Sequence, residues 1–280
     1  MKRYADYVGL FPLLAFIVAF LGLPLVAILR FSFQDSKGNF TLNNFSTITT
    51  GIYRDAFWLS FQLSLFSAAI SLVLGFILAI AVTRLPIPIL KGLISTASGV
   101  FANTGGVPLA FMFIASLGTY GLLTDWLRKI GIDLYANSWT LYSFSGLLVV
   151  YLYFQVPLMI LVSLPIIEGI KREWREAALT LGAPYGFFWR KVIAPIIAPQ
   201  LFATFLLLFT NSFAAYATAA ALTSGSLALV PVQIASLIAS NVQVDGANTA
   251  MALGVGMVSI VAIAMSTYVL LERKVVKWRS

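Results

Sequence analysis

The sequence predicts an all-α integral membrane protein with six transmembrane helices, both termini cytoplasmic, and a cytoplasmic helix-turn-helix between spans four and five. Two observations carry that fold class. Of 280 residues, 60% are hydrophobic and 10% charged, and the mean hydropathy is +0.94. A soluble chain is about 45–50% apolar and about 25% charged, so these few charges would not cover a water-facing surface. Six segments also approach the roughly 20 apolar residues that a helix needs to cross hydrocarbon.

The first span runs near Val8–Leu29 and holds Pro12 and Pro24. Lys2 and Arg3 ahead of it resemble the start of a signal peptide. The apolar run is too long for one and no small-x-small cleavage site follows, so the reading is a retained helix. A polar connection, Ser32–Ala56, carries Asp35–Asn39 and then Asn43–Asn44. Trp58–Val82 is the second span. The third, Ile94–Leu117, has a polar first half with Ser95, Thr96, Ser98, Asn103 and Thr104. Spans four, five and six are Leu141–Leu164, Ile196–Leu222 and Ala250–Leu271. Between the last two, Ser224–Asn241 contains Pro231 and the apolar run Val232–Ile238, too short to cross and read as an interfacial or re-entrant helix. With no repeat, low-complexity tract or soluble insertion, residues 1–280 read as a single transmembrane domain.

The cations orient the spans. Thirteen of eighteen Lys and Arg fall at the N-terminus, after span two (Arg84, Lys91), after span four (Lys171, Arg172, Arg175, Arg190, Lys191) and at the C-terminus. The positive-inside bias then makes both ends cytoplasmic. This pattern also accounts for the net charge of +8 without nucleic acid. Cys and His are both absent, which removes disulfides, thiolate nucleophiles, imidazole metal ligands and Ser–His triads. No G-x-x-x-x-G-K-[ST] run is present, so the chain has no phosphate-binding loop of that kind. Neither a catalytic site nor a metal site is expected.

The loop Glu168–Pro195 (about residues 168–195) is the most charged stretch and has helical periodicity. Trp174, Ala177, Ala178 and Leu181 recur at i, i+3, i+4 and i+7 as one apolar face. Gly182 stands where a left-handed residue ends a helix, and Pro184 follows. A second short helix, Tyr185–Val192, then leads to Pro195 and span five. A hairpin resting on lipid is the plain reading. Against it, the Ala177–Ala178 pair has little area for lipid but suits insertion into a protein groove, and Glu176 beside it suits a charge-assisted contact.

The run Glu176-Ala177-Ala178-x-x-x-Gly182, followed by Val192-x-Ala194-Pro195, resembles the EAA loop of permease subunits in binding-protein-dependent ABC importers. That pattern ends in Ile-x-Leu-Pro, so Val192 and Ala194 are mild departures. Ile167–Lys171 and Trp174 are similar to the approach to the same loop. The resemblance implies a bacterial cytoplasmic (inner) membrane protein whose loop docks on a dimer of cytoplasmic ATPases. Trp174, Glu176, Ala177, Ala178, Leu181, Gly182, Phe187 and Pro195 would couple the two, with Trp174, Leu181 and Phe187 locking the loop rigidly. It further implies a second, different permease subunit and an extracytoplasmic solute-binding protein. ATP and Mg would belong to the ATPases, leaving this chain without a cofactor.

Polar residues inside spans are candidates for the solute path, because lipid-facing ones are costly. Asn103 and Thr104 adjoin Gly105–Gly106 and Pro108, Gln155 adjoins Pro157, and span five offers Asn211 and Tyr216. Each could equally be interhelical hydrogen-bond glue. Glycine and proline beside such groups mark helices that break around a cavity. No carboxylate lies deep in a span, which argues against the runner-up, a stand-alone ion-coupled carrier or channel. Tyr153–Met159 and Ala214–Ala219 resemble the branch of the importer family that moves polyamines, ferric iron, phosphonates, sulfate and thiamine. Polyamine or organophosphonate heads the expected solutes, with ferric iron next.

Overall fold

A computed structural model describes residues 11–136, 139–240 and 245–277, with side chains described up to residue 270. Lys2, Arg3 and Asn241 lie outside the described residues, as do the side chains of the C-terminal cations. Among the described residues the chain is helical, apart from an isolated bridge between Gln34 and Phe40. Among the described residues six helical segments are long and apolar enough to cross a membrane, the third being the run Gly106–Lys129 and not the expected Ile94–Leu117.

In chain order, α1 is Phe11–Ser32, widened by a π turn at Val18–Gly22. Helix α2 is Asn43–Ile48 and α3 is Gly51–Thr83. Then come α4, Pro88–Asn103, and α5, Gly106–Leu117. The short α6, Leu122–Lys129, precedes α7, Phe144–Glu168. The cytoplasmic loop holds α8, Arg172–Thr180, and leads into α9, Tyr185–Ala214. The remainder is α10, Ala217–Thr223, α11, Val230–Ala239, and α12, Gly246–Lys277.

Two predicted spans are interrupted. Ile94–Leu117 is not one helix, because it stops at Asn103 and restarts at Gly106. The reason is local: Gly106 has φ +75°, a conformation open to glycine, and Pro108 two residues on has no N–H to continue a ladder. Span five likewise breaks at Ala215–Tyr216, so Ile196–Leu222 divides between α9 and α10. By contrast, Val232–Ile238 lies inside a short helix as expected, with Pro231 in its first turn.

The chain divides into two compact units. The first joins residues up to Phe57 with Ala228–Ile260. Its core is Ile48, Tyr53, Val230, Leu237, Ala250 and Leu253. The connection after α1 is held by side chains. Asn44 is buried and donates to the carbonyls of Ser32 (3.0 Å) and Gln34 (2.9 Å). Asn248 donates to the Gln34 carbonyl at 2.8 Å, and Asp245 accepts the Ser36 N–H at 2.9 Å. Asp35 accepts the backbone N–H groups of Asn39 and Lys37, and the Asn39 bond foremost holds its carboxyl below the usual carboxylate range.

The second unit joins Trp58–Leu227 with the residues from Val261 on. Helix α7 is its axis: half of its membrane window is buried, more than in any other span. Helices α4 and α9 pack on it. Helix α3 approaches closely at Gly75, where an added Cβ would fall 2.5 Å from the Met159 Cβ and 2.9 Å from the Val156 carbonyl oxygen. Buried Ser60, Ser64, Ser67 and Ser71 line one side of α3, and the Ser67 and Ser212 hydroxyls are 2.7 Å apart. Small residues at helical spacing let backbones approach where lipid gives no hydrophobic drive to associate.

Candidate functional site

Two places gather the candidate residues, the loop between α7 and α9 and a cleft at the two helix breaks. In the loop, α8 has Glu173 in its first turn, where the helix dipole favours an acid. Arg172 Nε donates to Glu176 Oε1 at 3.0 Å, an exposed i, i+4 pair. The helix ends as the glycine position predicts. Gly182 has φ +73°, the Gly182 N–H reaches the Leu179 carbonyl at 2.9 Å, and the Ala183 N–H reaches the Ala178 carbonyl at 2.9 Å. These two bonds form a Schellman motif and satisfy the orphan carbonyls locally. A Cβ at Gly182 would meet open space, so its requirement is conformational rather than steric.

The four-residue apolar face is divided. Trp174 and Ala178 pack against the buried cluster of Phe188, Ile193 and Ile197. Ala177 is exposed, Leu181 is 86% exposed and Phe187 53% exposed. Leu181 and Phe187 therefore do not lock the loop from within. Leu181 is the residue that closes α8 and Phe187 lies in the turn after Pro184, and neither belongs to the cluster under Trp174. What ties the loop down instead is Tyr185. Its hydroxyl accepts from Arg84 Nη2 at 2.9 Å, its ring lies 5.7 Å from the Arg175 guanidinium carbon, and its edge meets Trp189. An ion pair between Lys91 and Glu168 joins the start of α4 to the end of α7. Periodicity alone gave no sign of Tyr185, because its partner Arg84 is distant in the chain.

The second loop helix does not stop before Pro195. It passes through a π turn, Trp189–Ile193, closed by the Ala194 N–H on the Trp189 carbonyl, and continues as α9. Proline has no N–H for the preceding turn and crowds its carbonyl. The wider turn just before Pro195 accommodates both effects, so the helix runs on from Tyr185 to Ala214.

The breaks at Thr104–Gly105 and Ala215–Tyr216 face one another across a cleft of about 300 Å³. Asn103, Phe154, Asn211, Tyr216 and Thr218 line it, with Gly105 and Gly106 and small alanines. Of the path candidates, Asn103, Asn211 and Tyr216 thus come together. Gln155 is fully buried behind the cleft, donating to the Leu208 carbonyl at 2.7 Å and accepting from Asn211 Nδ2 at 3.2 Å. Thr104 is half-buried and bonds back to the Val100 carbonyl at 2.7 Å, outside the lining. Two residues that sequence reasoning passed over hold the breaks. Thr218 Oγ1 accepts the Gly106 N–H at 2.7 Å, and the Tyr151 hydroxyl donates to the Ala215 carbonyl at 3.0 Å. Thr218 lies in the Ala214–Ala219 run singled out for its resemblance, but nothing in its neighbours points to Gly106.

The described lining of the cleft carries no ionised side chain, only amides, hydroxyls, aromatic rings and backbone. Such a surface can exchange hydrogen bonds with a passing solute without holding it as a counter-ion would.

Comparison with known proteins gives a consistent set. Residues 71–277 match the family described as binding-protein-dependent transport system inner membrane component. The sulfate transport system permease protein CysT of Escherichia coli K12 is 28% identical over 202 residues, covering 71% of this chain and 68% of its own length. The probable sulfate transport system permease protein cysT of Zygnema circumcarinatum is 25% identical over 237 residues, 82% of this chain and 78% of that one. The thiamine transport system permease protein ThiP of Haemophilus influenzae is 28% identical over 168 residues, 59% of this chain and 30% of that one. In fold, the chain is similar to the crystal structure of a bacterial ABC transporter involved in import of the acidic polysaccharide alginate. The TM-score is 0.73 at 15% identity, over 99% of this chain and 96% of that one.

Proposed function

The chain belongs to the inner-membrane components of binding-protein-dependent transport systems, the multi-pass permeases of ABC importers, and from that premise we propose how it works. The whole chain acts as one permease domain. The loop Glu168–Pro195 docks on a cytoplasmic ATPase dimer that supplies ATP and Mg, and this subunit holds no cofactor. One observation carries that reading. The loop is packed on its inner side through Trp174 and Ala178, is stopped by a self-satisfied glycine turn, and offers Ala177, Leu181 and Phe187 outward. Helix-in-groove docking uses such an apolar surface, and Glu176, paired among the described residues with the exposed Arg172, can exchange partners on contact. Gly182 and Pro195 set the direction in which a push on the loop reaches α9.

The cleft at the two breaks is this subunit's share of the solute path, completed by a second, different permease subunit and fed by a solute-binding protein. Asn103, Asn211 and Tyr216 face the solute, and Gln155 fixes Asn211. A small oxyanion, sulfate or an organophosphonate, fits best. Amide and hydroxyl donors suit such a group, whereas the lining offers no carboxylate to a polyamine or ferric ion. The named sulfate permeases support the same class.

Two measurements test this. Gly182→Pro and Glu176→Lys are each expected to abolish copurification of the ATPase while membrane insertion stays intact. Normal copurification with both would overturn the docking role. ATPase activity of the reconstituted complex with its binding protein is expected to rise with sulfate or an alkylphosphonate and not with putrescine. The reverse pattern would overturn the solute class.

A further inference from the structure

The two helix breaks divide the second unit into parts that are tied internally in different ways. On one side, α4 and α9 both pack on α7. Gln155 binds α7 to α9 through the Leu208 carbonyl and Asn211. The loop joins the same two helices, and Lys91–Glu168 fastens α4 to the end of α7. Beyond the breaks, α10 packs along α5. Thr218 Oγ1 staples the pair by accepting the first N–H of α5 at 2.7 Å. Helix α4 continues into α5 only through Thr104–Gly105, and α9 into α10 only through Ala215–Tyr216. Both connections are non-helical, and the cleft lies between them.

We propose that Tyr151 and Thr218 are positioning residues for transport, fixing α5 and α10 as one flap that swings about the paired breaks and so closes or opens the cleft to one side. The inference rests on the reading that this cleft belongs to the solute path. Each residue has a distinct task. Thr218 makes the flap one body, because without its oxygen the Gly106 N–H, the first of α5, is left unpartnered. Tyr151 sets the resting angle of the flap. Tyr151 is 1% exposed as a residue, and its hydroxyl is the donor to the Ala215 carbonyl in the middle of the hinge. A freed carbonyl at membrane depth needs a partner, so the hinge rests where Tyr151 can reach it. Motion of α7 with the loop then carries the Tyr151 hydroxyl with it, while the flap, tied by its own staple, responds as a unit. In this arrangement the bond between Tyr151 and Ala215 changes in the cycle, and the bond between Thr218 and Gly106 does not.

The chain contains no cysteine, so engineered pairs report without a background. A Cβ at Gly106 would stand 3.7 Å from the Ala217 Cβ, within the usual span of a disulfide, about 3.5–4.5 Å. In the reconstituted complex with ATPase, second permease and binding protein, oxidised Gly106→Cys/Ala217→Cys is expected to transport at the rate of its reduced form. Transport lost on oxidation and restored by reductant would overturn the flap, since the two helices would then have to part. Tyr151→Phe is the second arm and does not depend on the strained glycine. It is expected to raise ATPase activity in the absence of binding protein by about twofold to tenfold, the worth of one hydrogen bond. Thr218→Val, which removes the staple's oxygen, is expected to lose coupling between ATPase and transport, and Thr218→Ser, which keeps it, to retain the coupling that Thr218→Val loses. An unchanged resting ATPase in Tyr151→Phe would overturn the hinge role. Copurification of the ATPase and solute stimulation of the unmodified complex are measured alongside, and their absence would instead overturn the permease reading beneath it.

Discussion

The chain turns sharply after α8 and again after α9, and it satisfies its backbone differently in the two places. After α8, the carbonyls of Ala178 and Leu179 are met by the next N–H groups along the chain, Ala183 and Gly182. After α9, the carbonyl of Ala215 is met by a tyrosine hydroxyl 64 residues away, and the first N–H of α5 by a threonine 112 residues away. The first turn lies in a charged loop where water can take any group left over. The second lies among apolar spans, where each unmet group costs several kcal/mol, roughly. A break in a membrane helix therefore draws its partners from other helices, whereas a turn in water can be self-contained.

That contrast can be broken most severely at the exposed turn. Gly182→Pro forces φ from +73° toward about −65° and removes the N–H on the Leu179 carbonyl. Complete loss of ATPase copurification from a correctly inserted chain is the expected outcome. Next in size is the buried break: Tyr151→Phe leaves the Ala215 carbonyl without its donor and is expected to lower stability by about 1–3 kcal/mol, read by thermal unfolding in detergent. Gly75→Val should cost a similar amount, about 1–3 kcal/mol, by driving α3 from Met159 in a place with no room to yield. Gly182→Ala, whose methyl meets nothing, is expected to cost only the left-handed strain, about 1–2 kcal/mol, and to retain partial docking. If Gly182→Ala proved more damaging than Tyr151→Phe, the distinction between the two turns would fail.

The smallest effect belongs to another water-exposed turn, at Asp35. Its carboxyl is held below the ordinary value by the Asn39 N–H, so its stabilisation is complete above the unfolded value, about 3.9. As pH falls through the lower folded value, protonation removes it. Protection of the Lys37 and Asn39 amides, measured as exchange relative to the intrinsic rate at each pH, is expected to fall only on acidification, and Asp35→Asn should remove that change in protection.

What was legible in the sequence follows the same division. The apolar runs of α3, α7 and α12, the end of α8 at Gly182 and the short α11 after Leu229 all follow from nearest neighbours. Helix interruption was foreshadowed by Gly105, Gly106 and Pro108, but its pairing with Ala215–Tyr216 was not, because no short-range pattern couples residues so far apart. The eight loop residues were visible as a motif, and periodicity put Trp174, Ala177, Ala178 and Leu181 on one apolar face, which the fold divides by packing Trp174 and Ala178 and leaving Ala177 and Leu181 exposed. Among the polar span residues, Asn103 and Asn211 reach the cleft while Gln155 acts as glue, a choice made by which face of α7 meets α9.

The π turn at Trp189–Ile193 is also a matter of phase. A helix advances about 100° per residue, so one residue absorbed in a wider turn rotates everything downstream by about that angle. The side that Tyr185 and Trp189 present toward the loop is thereby decoupled from the side that Gln200, Thr204 and Leu208 present within the spans. Both ends of one continuous rod can meet unrelated surroundings correctly. Removing a single residue here would keep the rod intact and turn its membrane half like a mis-set key, and with it every contact that Leu208, Asn211 and Ser212 make.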